Sequence, residues 1–376
     1  MVLNKIHIGN SDHVDSNLRT QQETYVCENC DWSYLIPGEI QVDFCPHCHT
    51  PNLQAVPSIE QNGSLQRSFE LLVPFELTNS QLTAYLEGFT KGIPFSPNDL
   101  KLSSLVSRMQ RVFLPMWLVD TKVQAKWWAE AGFDYEVISH QARYDDISRR
   151  WTSREVNEGR IRWEPRLGTL NREFQNVAVP ALEEYANITN ELGSYHLERA
   201  GDYRQNGTIN SIICWPNRNT EDVWVEAQPA IQSAAGEDCR RAANADHIID
   251  FKWDPSFENK NWTIVLLPLY STYYFDDEKN IQPIYINGQT GRTSGIKQAS
   301  MKAGRKLSLI LLSIAIIFFI ISLITAAASL AVPLLLVLGI LGFVLTLVIG
   351  IGAVVPIVLV WQFNRDHKSK TIGYFT

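Results

Sequence analysis

The sequence predicts an α+β protein in three parts: an N-terminal zinc ribbon, a soluble body rich in antiparallel sheet, and a C-terminal two-helix transmembrane hairpin. Three observations predict it. Two C-x2-C pairs, Cys27/Cys30 and Cys45/Cys48, stand near the start. The middle mixes strand-like and helix-like runs without regular βαβ alternation, which favours α+β over a parallel sheet. Between Lys306 and Arg365 no residue is charged.

The elements follow in order. Residues 1–22 hold no apolar run long enough for a signal-peptide core and read as a flexible polar tail. The soluble body is therefore expected in the cytoplasm. Residues 23–57 read as the ribbon. Each C-x2-C pair turns two thiolates toward one point, and two pairs supply the four-sulfur tetrahedron that Zn²⁺ prefers. Cys27, Cys30, Cys45 and Cys48 are the expected ligands of a structural zinc, with His47 and His49 as competitors beside a set already complete. The segment between the pairs (DWSYLIPGEIQVDF) predicts a short hairpin turning at Pro37-Gly38. The module is too small to build a core without its metal.

Residues 58–67 are polar and read as a linker. The body, 68–296, begins with a strand-like run at Phe69–Phe75 (FELLVPF). A helix capped by Thr78 or Asn79 follows and ends at Gly92, and a second runs over Pro97–Ser107. Strand-like segments follow at Arg111–Val119, Val123–Trp128 and Phe133–Ser139. Arg160–Trp163 and Glu173–Val179 predict a hairpin around Gly168. Pro229–Ala243 predicts a helix, and strands return at His247–Trp253, Trp262–Phe275 and Ile281–Ile286. The segments VFLPMWLV (112–119) and VLLPLYSTY (265–273) echo each other, either as a duplicated β-unit or by coincidence.

Residues 297–376 form the basic-flanked membrane part. Lys297, Lys302, Arg305, Lys306, Arg365, Lys368 and Lys370 against Asp366 make it +6, and the chain total of −7 leaves residues 1–296 at −13. One crossing needs about 20 apolar residues, so the apolar stretch holds two. Basic residues at both ends place both ends on the cytoplasmic side of a multi-pass protein of the cell membrane. The helices are expected at about 305–329 and 333–361, with a possible kink at Pro356. Small residues recur at Ser308, Ala315, Ser322 and Ser329, and at Gly342, Thr346 and Gly350. They suit either close packing of the two helices on each other or self-association into a homo-oligomer. No ionisable group lies inside the apolar stretch, which disfavours an ion pathway and makes the hairpin an anchor in the lipid bilayer.

Little points to catalysis. Asp145-Asp146 and Glu183-Glu184 read as exposed acidic pairs, and His140, His196 and His247 stand alone. Cys214 and Cys239 read as buried thiols. No P-loop, G-x-G-x-x-G, G-x-S-x-G or H-E-x-x-H is present, so no catalytic residue is assigned and the chain is expected not to be an enzyme. Nucleic acid is also disfavoured: no Lys or Arg lies between Arg19 and Arg67, and a backbone-contacting ribbon needs cations.

The pair CENC…CPHC, the segment LLPLYSTYYF…YINGQTGRTSG before the basic flank, FTKGIPFSPNDL…RVFLPMWLVD, and the C-terminal hairpin together resemble a bacterial family of zinc-ribbon membrane proteins. Relatives are labelled, through their ribbon, as similar to the primosomal helicase, but no helicase motif occurs here. Some are encoded with phage-shock-protein-A-like and SPFH proteins. The resemblance implies a membrane-anchored adaptor that gathers soluble proteins of those kinds in envelope stress or membrane maintenance. It carries over Cys27, Cys30, Cys45 and Cys48 as structural zinc ligands. Two alternatives stand beside it: a membrane-tethered nucleic-acid binder, and an uncharacterised enzyme within residues 68–296.

Overall fold

A computed structural model of the chain describes residues 22–38, 40–56, 69–147, 149–189, 192–203, 210–330 and 334–372. The expected tail up to residue 21, the linker at 58–67 and Pro333 lie outside the described residues. The fold is α+β with a large mixed sheet. The chain divides into two compact units. One contains Met116–Ala181 and Arg218–Val265; the other contains the described residues up to Pro115, Leu182–Asn217, and those from Leu266 onward. Strands β5 (Gln110–Asp145) and β9 (His247–Phe275) contribute residues to both.

The first unit is built on one long hairpin. Strand β5 pairs antiparallel with β6 (Arg150–Pro180), from Met116↔Pro180 to Asp145↔Arg150, with one irregularity between Val119 and Thr121. At about 3.4 Å per residue this ladder is on the order of 100 Å long. The three short strands expected over 111–139 are thus one strand. The hairpin expected around Gly168 does not exist, because that glycine sits mid-strand opposite Trp127. A Cβ at Gly168 would stand 2.7 Å from the Trp127 ring. The glycine lets an indole lie flat across the strand and marks no turn. Helix α4 (Thr220–Ala243) is capped by Asn219, which accepts from the backbone N–H groups of Glu221 and Asp222. It begins nine residues before the expected Pro229. Its Cys239 and Ala243 pack on Trp127 and Ala129 with Leu170, Phe251 and Trp253 around them.

In the second unit, β1 (Gln22–Cys27) pairs with β2 (Ser33–Pro37) and β3 (Leu53–Val56). Helix α3 (Tyr185–Thr189) and a 3-10 turn at Leu197–Arg199 lead to β7 (Gly201–Asp202), which pairs with β4 (Leu71–Leu72). Strand β8 (Ile212–Cys214) joins β2 antiparallel and the start of β5 in parallel, so the sheet is mixed and not purely antiparallel. On the far side β9 pairs with β10 (Ile281–Asn287), and β10 with β11 (Thr293–Gly295). Helix α1 (Asn79–Thr90) starts with a Thr78/Gln81 capping box. Helix α2 covers only Leu102–Ser107, shorter than expected. The NGQTG segment is a structural turn: Asn287 accepts from the N–H groups of Gln289 and Thr290, and Asn287 and Gln289 are buried.

Helix α5 (Met301–Ala328) is followed by α6 (Leu335–Gly352) and α7 (Val355–Ile372). The second expected helix is therefore broken at Ala353–Val354, just before Pro356, which has no N–H to offer the Gly352 carbonyl at the end of α6 and whose ring crowds that carbonyl. It runs on past Trp361. Over Met301–Ala328 and Leu335–His367 the helices are long and apolar enough to cross a membrane. The small residues of α5 face α6: Ala315 and Ser322 are buried, and Cβ atoms at Gly339 and Gly342 would meet Ala326 and Ser322. Ser308 donates to the Ala353 carbonyl. Gly350 has open space beside it and takes no part.

Candidate metal centre

Cys27, Cys30, Cys45 and Cys48 converge, with all four sulfur atoms within 4.8 Å of one another. The Cys27–Cys48 and Cys30–Cys45 sulfur pairs are 3.5 and 3.6 Å apart. A tetrahedron with metal–sulfur bonds of about 2.3 Å has edges of about 3.8 Å, so the set fits one metal ion. Among the described residues this is the single such group.

Local backbone chemistry builds the two halves alike. In the first knuckle the Asp31 N–H donates to the Cys27 carbonyl at 2.9 Å; in the second, His49 donates to Cys45 at 2.9 Å. The N–H of each leading cysteine then bonds a carbonyl five residues on, Trp32 and Thr50. Both turns close with a left-handed residue directly after the second cysteine, Asp31 at φ 57° and His49 at φ 56°. Glycine is the residue that adopts this without cost; its absence from both positions hid the symmetry in the sequence.

Around the sulfurs lie hydroxyls that the spacing could not announce. The Tyr34 hydroxyl is 3.0 Å from Cys45 Sγ, and the Thr50 hydroxyl is 3.0 Å from Cys48 Sγ. Tyr34 is fully buried, and burial first, then the nearby sulfurs, pushes its phenol well above the usual range. It therefore stays a donor toward sulfur. Hydrogen bonds from Cys30, then Cys45, draw the Cys48 thiol down, while the bond to Cys45 pushes Cys30 up.

Neither histidine competes for the metal position. His47 stacks on Trp32 at 4.0 Å and places Nε2 3.1 Å from Glu184. Burial lowers its pKa, against an opposing pull from Glu184. His49 is buried and stacks on Tyr273, with its pKa lowered by burial to about 4.

The hairpin expected between the two pairs is not the one that forms. Strand β2 runs only from Ser33 to Pro37 and pairs back with β1 and onward with β8, Tyr34 opposite Cys214. Among the described residues no strand follows it before Cys45. That stretch is instead held by side chains. Gln110, Ser271 and Tyr285 donate to the carbonyls of Phe44, Pro46 and His47. The ribbon is thus continuous with the sheet and shares its core.

The other singled-out residues do not join the site. Cys214 and Cys239 are buried free thiols, His196 sits by Glu198 and His247 by Asp134. Comparison with protein-family models, with curated proteins and with solved structures finds no match to this chain.

Proposed function

We propose that this chain is a membrane-anchored adaptor, in which a structural zinc ion locks the ribbon into the sheet and the hairpin fixes that sheet to a bilayer. The continuity of the second unit, from sulfur cluster to hairpin, carries the reading. At one end, sheet side chains grip the second knuckle. At the other, Val360 and Ala299 lie in one core with Leu86, Phe89, Tyr270, Tyr274, Ile284 and Ile286. Asn364 brackets Ala299, accepting from its N–H at 2.7 Å and donating to its carbonyl at 3.0 Å. Asp277 accepts from the Ser300 hydroxyl, the α5 N-cap, at 2.7 Å, and from the Lys302 N–H at 2.8 Å. Such a mount transmits the membrane position to the soluble face without a flexible joint.

Cys27, Cys30, Cys45 and Cys48 would hold the ion. Four thiolates leave no place for water or substrate, so zinc there supplies a cross-link and not a catalytic centre. The large apolar side chains that α5 and α6 leave uncovered, among them Leu309, Ile316, Ile320, Leu341 and Leu347, suit lipid contact, since a helix apolar all round needs a nonaqueous neighbour. The basic ends favour both termini on the cytoplasmic side. The acidic body disfavours phosphates and suits protein partners; phage-shock-protein-A-like and SPFH proteins are the first to test, in an envelope-stress setting.

The experiment is affinity capture of the full-length chain extracted in mild detergent, beside a Cys27→Ser/Cys30→Ser variant, with mass spectrometry and zinc analysis of both. Stoichiometric soluble proteins that leave with the zinc support the adaptor reading. Recovery of background proteins alone by the zinc-loaded chain overturns it.

A further inference from the structure

Beyond the start of β9, no third strand joins the β5–β6 hairpin among the described residues. Asp246 and His247, at the head of β9, reach Gly132 and Asp134, and the ladder runs on to Asp145↔Arg150. This arm is about 40 Å long at the usual strand rise. Two strands alone are marginal in water, yet the pairing holds without a break in register.

Side chains directly opposite each other share a face, and successive residues alternate between faces. Over 132–144 and 151–163 the register therefore sorts the arm into two unlike surfaces. One face carries Asp134, Glu136 and Glu155 with no Lys or Arg, a net of −3. The other carries Arg143, Arg154, Arg160 and Arg162 against Glu158, a net of +3; Arg162 also reaches Glu164, one pair nearer the base. The acidic face holds most of the arm's exposed apolar bulk: Ile138 is 68% and Trp151 72% exposed, with Tyr144, Ile161 and Trp163 beside them. Tyr144 and Trp151 pack edge to face at 5.4 Å.

We propose that this arm is a self-association surface, on which the acidic aromatic face of one copy stacks against the arginine face of the next. The equal and opposite charges fit a second copy of the chain better than an anionic surface, which the acidic face would repel. Guanidinium groups laid over Trp151 and Tyr144 add cation–π attraction to the charge pairing. A twofold pair would set acid on acid or arginine on arginine, so the contact is heterologous and gives rings or rows of copies.

The test is cross-linking of full-length chains with a short bifunctional maleimide, in whichever cell fraction holds them. One tagged chain carries Ile138→Cys on the acidic face. A differently tagged chain carries Gln141→Cys on the arginine face. Mixed products at least tenfold above either self-product, and above the parent chain, are expected. Arg143→Glu/Arg154→Glu/Arg160→Glu in the Gln141→Cys chain removes them. Adding Asp134→Arg/Glu136→Arg/Glu155→Arg to the Ile138→Cys chain restores them, which shows that the reversed arm still folds. Self-products equal to mixed ones, absence of mixed products, or charge reversal without effect overturns the proposal. Recovery of the chain in the membrane fraction without mixed products sinks the arm and leaves the anchor standing; mixed products from a chain outside that fraction do the reverse.

Discussion

Trp127 lies between helix α4 and the β5–β6 ladder, and its replacement is open to a quantitative test. Its ring lies across Gly168 and closes a core with Ala129, Cys239 and Ala243. Removing a buried aromatic of this size costs about 3–5 kcal/mol. Burial holds the Cys239 thiol above its ordinary pKa, and its reaction with a thiol reagent requires the cluster to open. At one tenfold change per 1.4 kcal/mol, Trp127→Ala speeds Cys239 labelling by about two to three and a half orders of magnitude, read site by site by mass spectrometry. Gly168→Ala adds the partner test. Its Cβ stands 2.7 Å from Cζ2 and 2.9 Å from Nε1 of the ring, so overpacking costs about 1–3 kcal/mol. With the ring gone, the same substitution gains about 0.5–1 kcal/mol, because alanine orders a strand at lower entropic cost than glycine. Gly168→Ala thus accelerates labelling in the parent and slows it in Trp127→Ala. The same sign in both backgrounds would show that the indole does not cover Gly168.

Four further outcomes are expected. The purified chain carries one zinc ion, and Cys45→Ser abolishes stable binding in elemental analysis; full retention with three thiols would refute the four-sulfur site. Asp31→Gly, relieving a left-handed non-glycine residue, strengthens resistance to a competing chelator by roughly 1 kcal/mol, whereas His49→Gly weakens it because a buried ring on Tyr273 is lost. Partial burial works to raise the Asp99 pKa, but hydrogen bonds from Arg108 at 2.5 and 3.0 Å and from the Phe275 N–H outweigh it and hold the carboxyl below its ordinary value. A depressed folded pKa contributes stability that is present above the unfolded pKa of about 4 and lost as pH falls through the folded value. Asp99→Asn should therefore flatten the acid limb of a urea-midpoint profile, and superimposable limbs would refute the coupling. In the hairpin, Gly339→Val meets the Ala326 backbone 3.2 Å away and lowers the melting temperature of the detergent-extracted chain, while Gly350→Val, facing open space, does not; the reverse order would point to packing between copies through Gly350.

The residues themselves announced the sulfur quartet, the Thr78 cap and the charge-free stretch after Lys306. These signals are local: ligand spacing, a cap beside its helix, and a run of apolar side chains carry their physics within a few dozen residues. What the sequence could not reveal was pairing. Short apolar runs at 111–139 read as three strands because nothing local says that Gly132 and Gly168 are places where rings cross a continuous strand. Strand β2 looked bound for a hairpin within the ribbon, but its partners lie at Gln22–Cys27 and at Ile213–Cys214. The opposite charges of the arm's faces emerge only once Asp134 is known to face Ile161 and Gln141 to face Arg154. Slipping that register by one residue would move one strand's charges to the other face and mix the two surfaces. Register is a property of two distant segments held together, so tertiary structure alone could decide it.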